Sequence, residues 1–321
     1  MALKTPLTEL LGIEHPVMLA GMGGVSFAPL VAAVSEAGGF GTLGMASQTP
    51  DAIREQMREV KRRTRKPFGV DLLAARPETL EAACNVMIEE GATAFISGLG
   101  VPVNIMERLQ KAGVIVMNMC GTVAHAVNGE EAGVDAVVAQ GGEAGGHTGD
   151  VAGMALIPQC VDAVKVPVVA AGAINDGRGL AAALAFGACG VWVGTRFIAS
   201  REANATNAYH RHILEAKETE TVRTRSYSGK PMRVRRNAWT AEWEKRPQDL
   251  QPFPAQRDYS MAQGAMRALH GYTDGLDESK VAFPMGQGAG GIHDILPAAE
   301  IVHRMVADAE AIMQRMMRLR V

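Results

Sequence analysis

Short apolar runs recur along the first two hundred residues, and polar stretches of helical period separate them. The runs are VMLA (17–20), FGTL (40–43), FGVDLL (68–73), TAFIS (93–97), VIVMNM (114–119), AVVAQ (136–140), VVAAG (168–172) and VWVG (191–194). Hardly any of them alternates with polar residues, the pattern of strands buried on both faces of a parallel sheet. Their starts lie 21 to 32 residues apart, enough for one helix and two loops each time. Several intervening helices end on a glycine followed at once by an extended run: SEAGG (35–39), EEGA (89–92), KAGV (111–114), EAGV (131–134) and AFGA (185–188). A left-handed residue after a helix costs least at glycine, so these five mark helix ends. Pro67 and Pro167 mark the same passage at two other joints. Eight strands at this spacing predict an α/β fold, a (β/α)8 TIM barrel. A doubly wound open sheet is the alternative.

The rhythm stops near Ser200. Residues 201–290 are more polar, and TVRTRSYSGKPMRVRRNAW gathers Arg223, Arg225, Lys230, Arg233, Arg235 and Arg236. MGQGAGGIHD then leads into a long amphipathic helix from about Ile295 to Arg318. The expected organisation is a barrel over 1–200, a smaller, mainly helical lid over 201–290 inserted near the C-terminus, and a last helix over 291–321 returning to the barrel. The basic cluster reads equally as a solvated face and as an attractor of an anionic substrate or nucleotide phosphate. The Met-rich last helix (Met305, Met313, Met316, Met317) reads as core packing, with a homodimer contact as the other reading.

Composition narrows the classes. The 321 residues carry 32 basic and 34 acidic side chains, a formal charge of −2, which argues against nucleic-acid binding through bulk positive charge. Four dispersed cysteines without a CxxC pair suggest neither a disulfide framework nor a zinc site. No signal-peptide core or membrane-length apolar run is evident, so a cytoplasmic location is expected.

In a barrel, chemistry sits in the loops after the C-terminal strand ends. After the first strand comes GMGGVS (21–26), with Ser26 expected to cap the next helix. The sixth leads into GGEAGGHTGD (141–150), the seventh into AGAINDGRG (171–179), and the eighth into GTRF (194–197). The last two loops suit phosphate: Gly172 and Gly194 let its oxygens approach the main chain, and Thr195 adds a hydroxyl. His147, in a loop of small residues at the catalytic end, is the sharpest candidate for proton chemistry. HExxH, HxxxH and GxSxG patterns are lacking, so no metal site or nucleophile elbow is expected. MGQGAGG neither follows a strand nor opens a helix, which argues against a dinucleotide fingerprint. A phosphorylated organic cofactor is the natural source of chemical power.

HPVMLAGMGGVS, KPFGVDLL, AQGGEAGGHTGD, VPVVAAGAINDGRGLAAALAFGACGVWVGTRF and MGQGAGGIHD together resemble the nitronate monooxygenase family, formerly 2-nitropropane dioxygenases. Its relatives include FMN-dependent enoyl-ACP reductases and NADH:quinone reductases. The resemblance spans nearly the whole chain and is weakest over about 201–280. It implies FMN at the barrel mouth under a smaller domain. Ala20, Gly21 and Met22 would then lie along the isoalloxazine ring, with Gly145 and Gly146 approaching it from the sixth loop and Gln140 at that strand's end. Ala171, Gly172, Ala173, Gly194 and Thr195 would hold the phosphate, and His147 matches the catalytic base or substrate orienter. Asp71 stands where relatives commonly carry Asn, near the flavin or ribityl chain. Asn118 stands where the quinone reductases carry Lys.

The leading expectation is FMN-dependent oxidation of alkyl nitronates, or of nitroalkanes, by dioxygen to a carbonyl compound and nitrite. The alternative keeps the flavin and uses NAD(P)H to reduce quinones or enoyl thioesters. A flavin- or phosphate-binding protein without activity is a third reading, opposed by the intact EAGGH loop.

Overall fold

The computed structural model describes residues 3–319 apart from 47, 75 and 76. Helix α1 (Pro6–Leu11) leads into eight repeats of strand and helix. They begin with β1 (Val17–Leu19), α2 (Ala28–Glu36), β2 (Gly41–Gly44), α3 (Pro50–Arg63), β3 (Phe68–Leu73), α4 (Pro77–Glu90), β4 (Ala94–Gly98) and α5 (Val103–Lys111). The series continues through β5 (Ile115–Cys120), α6 (Val123–Ala132) and β6 (Ala136–Gln140). A two-residue strand, β7 (Gly146–His147), lies outside the barrel, before α7 (Gly153–Ala163), β8 (Val168–Ala171), α8 (Gly177–Ala185), β9 (Gly190–Val193) and the short α9 (Thr195–Ile198).

The parallel order is β1-β9-β8-β6-β5-β4-β3-β2. A Met18–Phe40 bridge joins the two ends, with Leu19 N donating to Phe40 O at 2.8 Å and Phe40 N to Val17 O at 2.9 Å. The sheet is therefore a closed barrel. All eight expected strands are present, to within a residue or two. The five helix-ending glycines, 38, 91, 113, 133 and 187, have φ between 71° and 95°, the left-handed conformation their position demanded.

Alternation along each strand builds two cores. Met18, Ile96, Met117, Ala136, Val138 and Val169 fill the barrel, and Leu7 and Leu11 of α1 close its base. Val17, Leu19, Val70, Val116, Val137 and Val191 face outward beneath the helices. Gly190 is needed at the base, because a Cβ there would lie 2.4 Å from Leu7 Cδ2.

The remaining elements are α10 (Asn207–Leu214), β10 (Thr221–Thr224), β11 (Met232–Arg235), α11 (Ala238–Glu244), α12 (Ala255–Ala262) and α13 (Ala298–Met317). The helical lid thus carries a hairpin as well. β10 and β11 pair antiparallel, and β11 takes β7 as its third partner through Met232–His147 and Arg233–Gly146. Helix α13 returns to the barrel: a Cβ on Gly177 would lie 2.4 Å from Ala309 N. On that helix Met305 is buried, Met313 packs against the core, and Met316 and Met317 are exposed.

Two expectations need correcting. Ser26 does not cap α2, whose N-cap is Phe27 without a side-chain bond. Its hydroxyl instead accepts from Met22 N at 2.7 Å and tightens the loop, while Gln56 Oε1 accepts from Ala28 N at 3.0 Å. The basic cluster is neither wholly solvated nor wholly aimed at a ligand. Arg223 pairs with Asp150, Arg235 with Glu220 and Arg236 with Glu244, and Arg233 donates to Gly142 O. Lys230 lines the central cavity, its ammonium 5.0 Å from the centre of the Phe253 ring.

Candidate active site

A cavity of about 760 Å³ opens where the C-terminal strand ends meet the lid. All fourteen candidate residues line it: Ala20, Gly21, Met22, Asp71, Asn118, Gln140, Gly145, Gly146, His147, Ala171, Gly172, Ala173, Gly194 and Thr195. Asp71 and Asn118 lie in the C-terminal halves of β3 and β5, and the others lie at strand ends or in the loops that follow them, which is why barrel topology brings them together.

Among the described residues, no backbone hydrogen bond engages the amides of Ala173, Gly194 and Thr195. Thr195 Oγ accepts from Gly286 N at 3.1 Å, which leaves its own proton free to donate. Ala173 has φ 52°; it and Leu99 are the two non-glycine residues of positive φ among those described, and both line the cavity. Such strain at a non-glycine residue concentrates at functional sites.

The strand-1 loop lies alongside: a Cβ on Gly194 would meet Met22 Sδ at 3.4 Å and Ala20 Cβ at 3.5 Å. Gly21 is obligatory there, since a Cβ would lie 2.2 Å from Asp71 Cβ. The Asp71 carboxyl is 8% exposed, and burial pushes its pKa well above the ordinary carboxylate range. It has no hydrogen-bond or ion-pair partner among the described residues. The Asn118 amide nitrogen is engaged: Nδ2 donates to Gly100 O at 2.7 Å and to Ser97 O at 3.2 Å, bracing the loop after β4.

The loop carrying His147 is held from both sides. Both Glu143 carboxylate oxygens accept from Gly153 N at 3.0 Å, at the start of α7. Gln287 N donates to Glu143 O at 2.9 Å, and Gly145 lies so close to Met285 and Gly286 that a Cβ would come within 2.8 Å of their backbone. MGQGAGG is therefore the partner segment of the EAGGH loop. His147 itself is half-buried. Its Nε2 lies 2.9 Å from Ser228 Oγ, and loss of water with the nearby Lys230 ammonium lowers its pKa to about 4. At neutral pH it is an uncharged imidazole.

Sequence reasoning missed Ser228, Glu143 and Gly286, and took Lys230 only as a member of the basic cluster. Ser228 and Lys230 lie in SYSGKP, within a segment that drew notice for its charge. Their signal was the alternation of TVRT and MRVR on either side of a Ser-Gly turn.

A closed barrel with a cavity at its mouth, an imidazole in the cavity wall and a covering lid, taken with the family match that follows, defines an FMN-dependent oxidoreductase of the barrel type. A sequence model of the nitronate monooxygenase family matches residues 4–308, and the chain belongs to that family. It is 44% identical over 239 residues to a (3aS,4S,5R,7aS)-5-hydroxy-7a-methyl-1-oxo-octahydro-1H-indene-4-carboxyl-CoA dehydrogenase of Mycobacterium tuberculosis, covering 74% of this chain and 67% of that one. A probable nitronate monooxygenase of Staphylococcus aureus is 32% identical over 300 residues, 79% of this chain and 84% of the relative. FabK from Thermotoga maritima superposes with a TM-score of 0.90 at 35% identity, covering 98% of each chain. Nitroalkane oxidase from Streptomyces ansochromogenes gives 0.85 at 29% identity, covering 97% of this chain and 99% of that one. Family membership implies FMN. Among the described residues no helix is long and apolar enough to cross a membrane, and no group of side chains is arranged to hold a metal ion.

Proposed function

We propose that the protein is an FMN- and NAD(P)H-dependent oxidoreductase that adds or removes hydrogen across the Cα–Cβ bond of an acyl thioester. The free amides of Ala173, Gly194 and Thr195, with the Thr195 hydroxyl, suit the FMN phosphate. Ala171 and Gly172 shape the floor beside it. Ala20, Gly21, Met22, Asp71, Gln140, Gly145 and Gly146 wall the space left for the ring, and Asn118 braces that wall. FMN, when bound, supplies two-electron redox chemistry.

The observation that carries this reading is the neutral imidazole of His147 in the cavity wall. In the oxidative direction Cβ gives up hydrogen with its electron pair and Cα gives up a proton, which His147 takes. In the reductive direction Nδ1 of His147 first takes a proton from solvent and then passes it to Cα. The lid, through β11 paired with β7, holds the imidazole in place and excludes water. The CoA-ester chemistry of the 44%-identical relative and the 0.90 superposition on FabK favour a thioester over a nitronate.

A second reading, nitronate oxidation with dioxygen, rests on the family match and on Lys230, a cation in the cavity wall suited to an anionic substrate. The two are separated by steady-state assays on FMN-loaded protein. Consumption of NADH or NADPH driven by an enoyl-CoA, and lost in H147A, supports thioester redox. Oxygen uptake with propionate 3-nitronate, without enoyl-CoA turnover, overturns it in favour of the second reading.

A further inference from the structure

We propose that Ser228 is the positioning residue for His147, holding the imidazole proton on Nε2 so that Nδ1 meets the ligand as an acceptor. The inference rests on the reading of His147 as the proton-handling group.

Ser228 is 1% exposed, so its hydroxyl must find partners within the protein. Three lie in reach: His147 Nε2 at 2.9 Å, Lys230 O at 3.2 Å and Lys230 N at 3.3 Å. The amide of Lys230 can only donate to Oγ, and its carbonyl can only accept. That carbonyl has no other donor among the described residues. If Oγ–H turns to the carbonyl, Oγ accepts from Lys230 N–H and from His147 Nε2–H, and all three contacts are hydrogen bonds. If Oγ–H turns to Nε2 instead, the Lys230 carbonyl loses its donor and one bond disappears. The first arrangement makes three hydrogen bonds and the second two, so the first is favoured. The proton therefore sits on Nε2.

The rest of the ring's setting agrees. Nδ1 has no partner among the described residues, and the residue lines the cavity. Pairing of His147 with Met232 fixes the backbone from which the ring projects. Ser228 comes from the turn between β10 and β11, 81 residues along the chain, so packing of the lid hairpin on β7 completes the arrangement. The other ionisable groups on the cavity wall are Asp71, Cys120, His125, Tyr209, Lys230 and Arg257, from β3, β5, α6, α10, the hairpin turn and α12.

The test joins spectroscopy to kinetics. With ¹⁵N-labelled histidine at pH 7, His147 of the intact protein should carry its proton on Nε2. In S228A the proton should move to Nδ1 or divide between the two nitrogens. Turnover of the FMN-loaded S228A protein should fall about tenfold in kcat with little change in KM for the thioester, the weight of one hydrogen bond. S228C keeps the volume but replaces the hydroxyl with a weak thiol. It should behave like S228A; recovery to wild-type values would show that packing alone mattered and would overturn the proposal. A proton on Nδ1 in the wild type, or identical spectra in wild type and S228A, would overturn it as well. Full activity of H147A would instead refute the role given to His147 while leaving the spectroscopic result intact.

Discussion

Replacing His147 by Gln removes its titration and leaves a polar side chain in the cavity wall. Protonating His147 inside the folded protein means lifting its pKa barrier: the ordinary value of 6.5 is lowered to about 4 by burial and by Lys230. At about 1.4 kcal/mol per pH decade, the full gap amounts to about 3 kcal/mol. The sign follows from which state binds the proton first. Below pH 6.5 the unfolded chain takes it up while the folded protein does not, so stability present above that pH falls as acid is added. Loss is complete only below the folded value, near pH 4. Between pH 7 and 4.5, wild type should therefore lose about 2.5 kcal/mol more than H147Q. Urea unfolding of both proteins at the two pH values measures this directly, and the carboxylates common to both cancel in the difference. An unchanged gap between the proteins would refute the claim that the imidazole is held neutral.

Other substitutions probe the frame and the cradle. Asp71→Asn should stabilise the protein at pH 7, because an ionised carboxylate in that buried position is disfavoured; the advantage should shrink as pH falls toward 4, as urea midpoints would show. Gly177→Ala should cost about 2 kcal/mol, since its Cβ would meet Ala309 N at 2.4 Å and lift α13 from the barrel, lowering the thermal midpoint. Thr195→Val should weaken FMN binding about tenfold in a fluorescence titration while leaving riboflavin, which lacks the phosphate, unaffected. Equal losses for both ligands would deny Thr195 its phosphate role.

The barrel was legible because its signals are local. Strands buried on both faces read as unbroken apolar runs, and the helix-ending glycines announce a backbone angle that few other residues adopt. The candidate residues were legible for a related reason: barrel topology brings the end of every strand to one mouth, so position along the chain implies position in the site. What escaped depends on long-range pairing. β7 is two residues long and becomes a strand only because Arg233 and Met232 lie beside Gly146 and His147. The hairpin of β10 and β11 interleaves Val222, Met232 and Val234 with arginines whose partners, Asp150, Glu220 and Gly142, lie outside the cluster. Read locally, that segment is a run of charge. Ser228 escaped for the same reason: it is buried by contacts from distant segments, and nothing beside it in the chain says so.

Thioester redox at a flavin is tested most directly by a single turnover without oxygen. FMN-loaded protein is bleached with NADH or NADPH under anaerobic conditions and then mixed with an enoyl-CoA. Return of the oxidised flavin colour, with one equivalent of saturated thioester formed and with H147A much slower, is the predicted result. Flavin that stays bleached with every enoyl-CoA offered, and regains its colour only when air is admitted, would contradict the account.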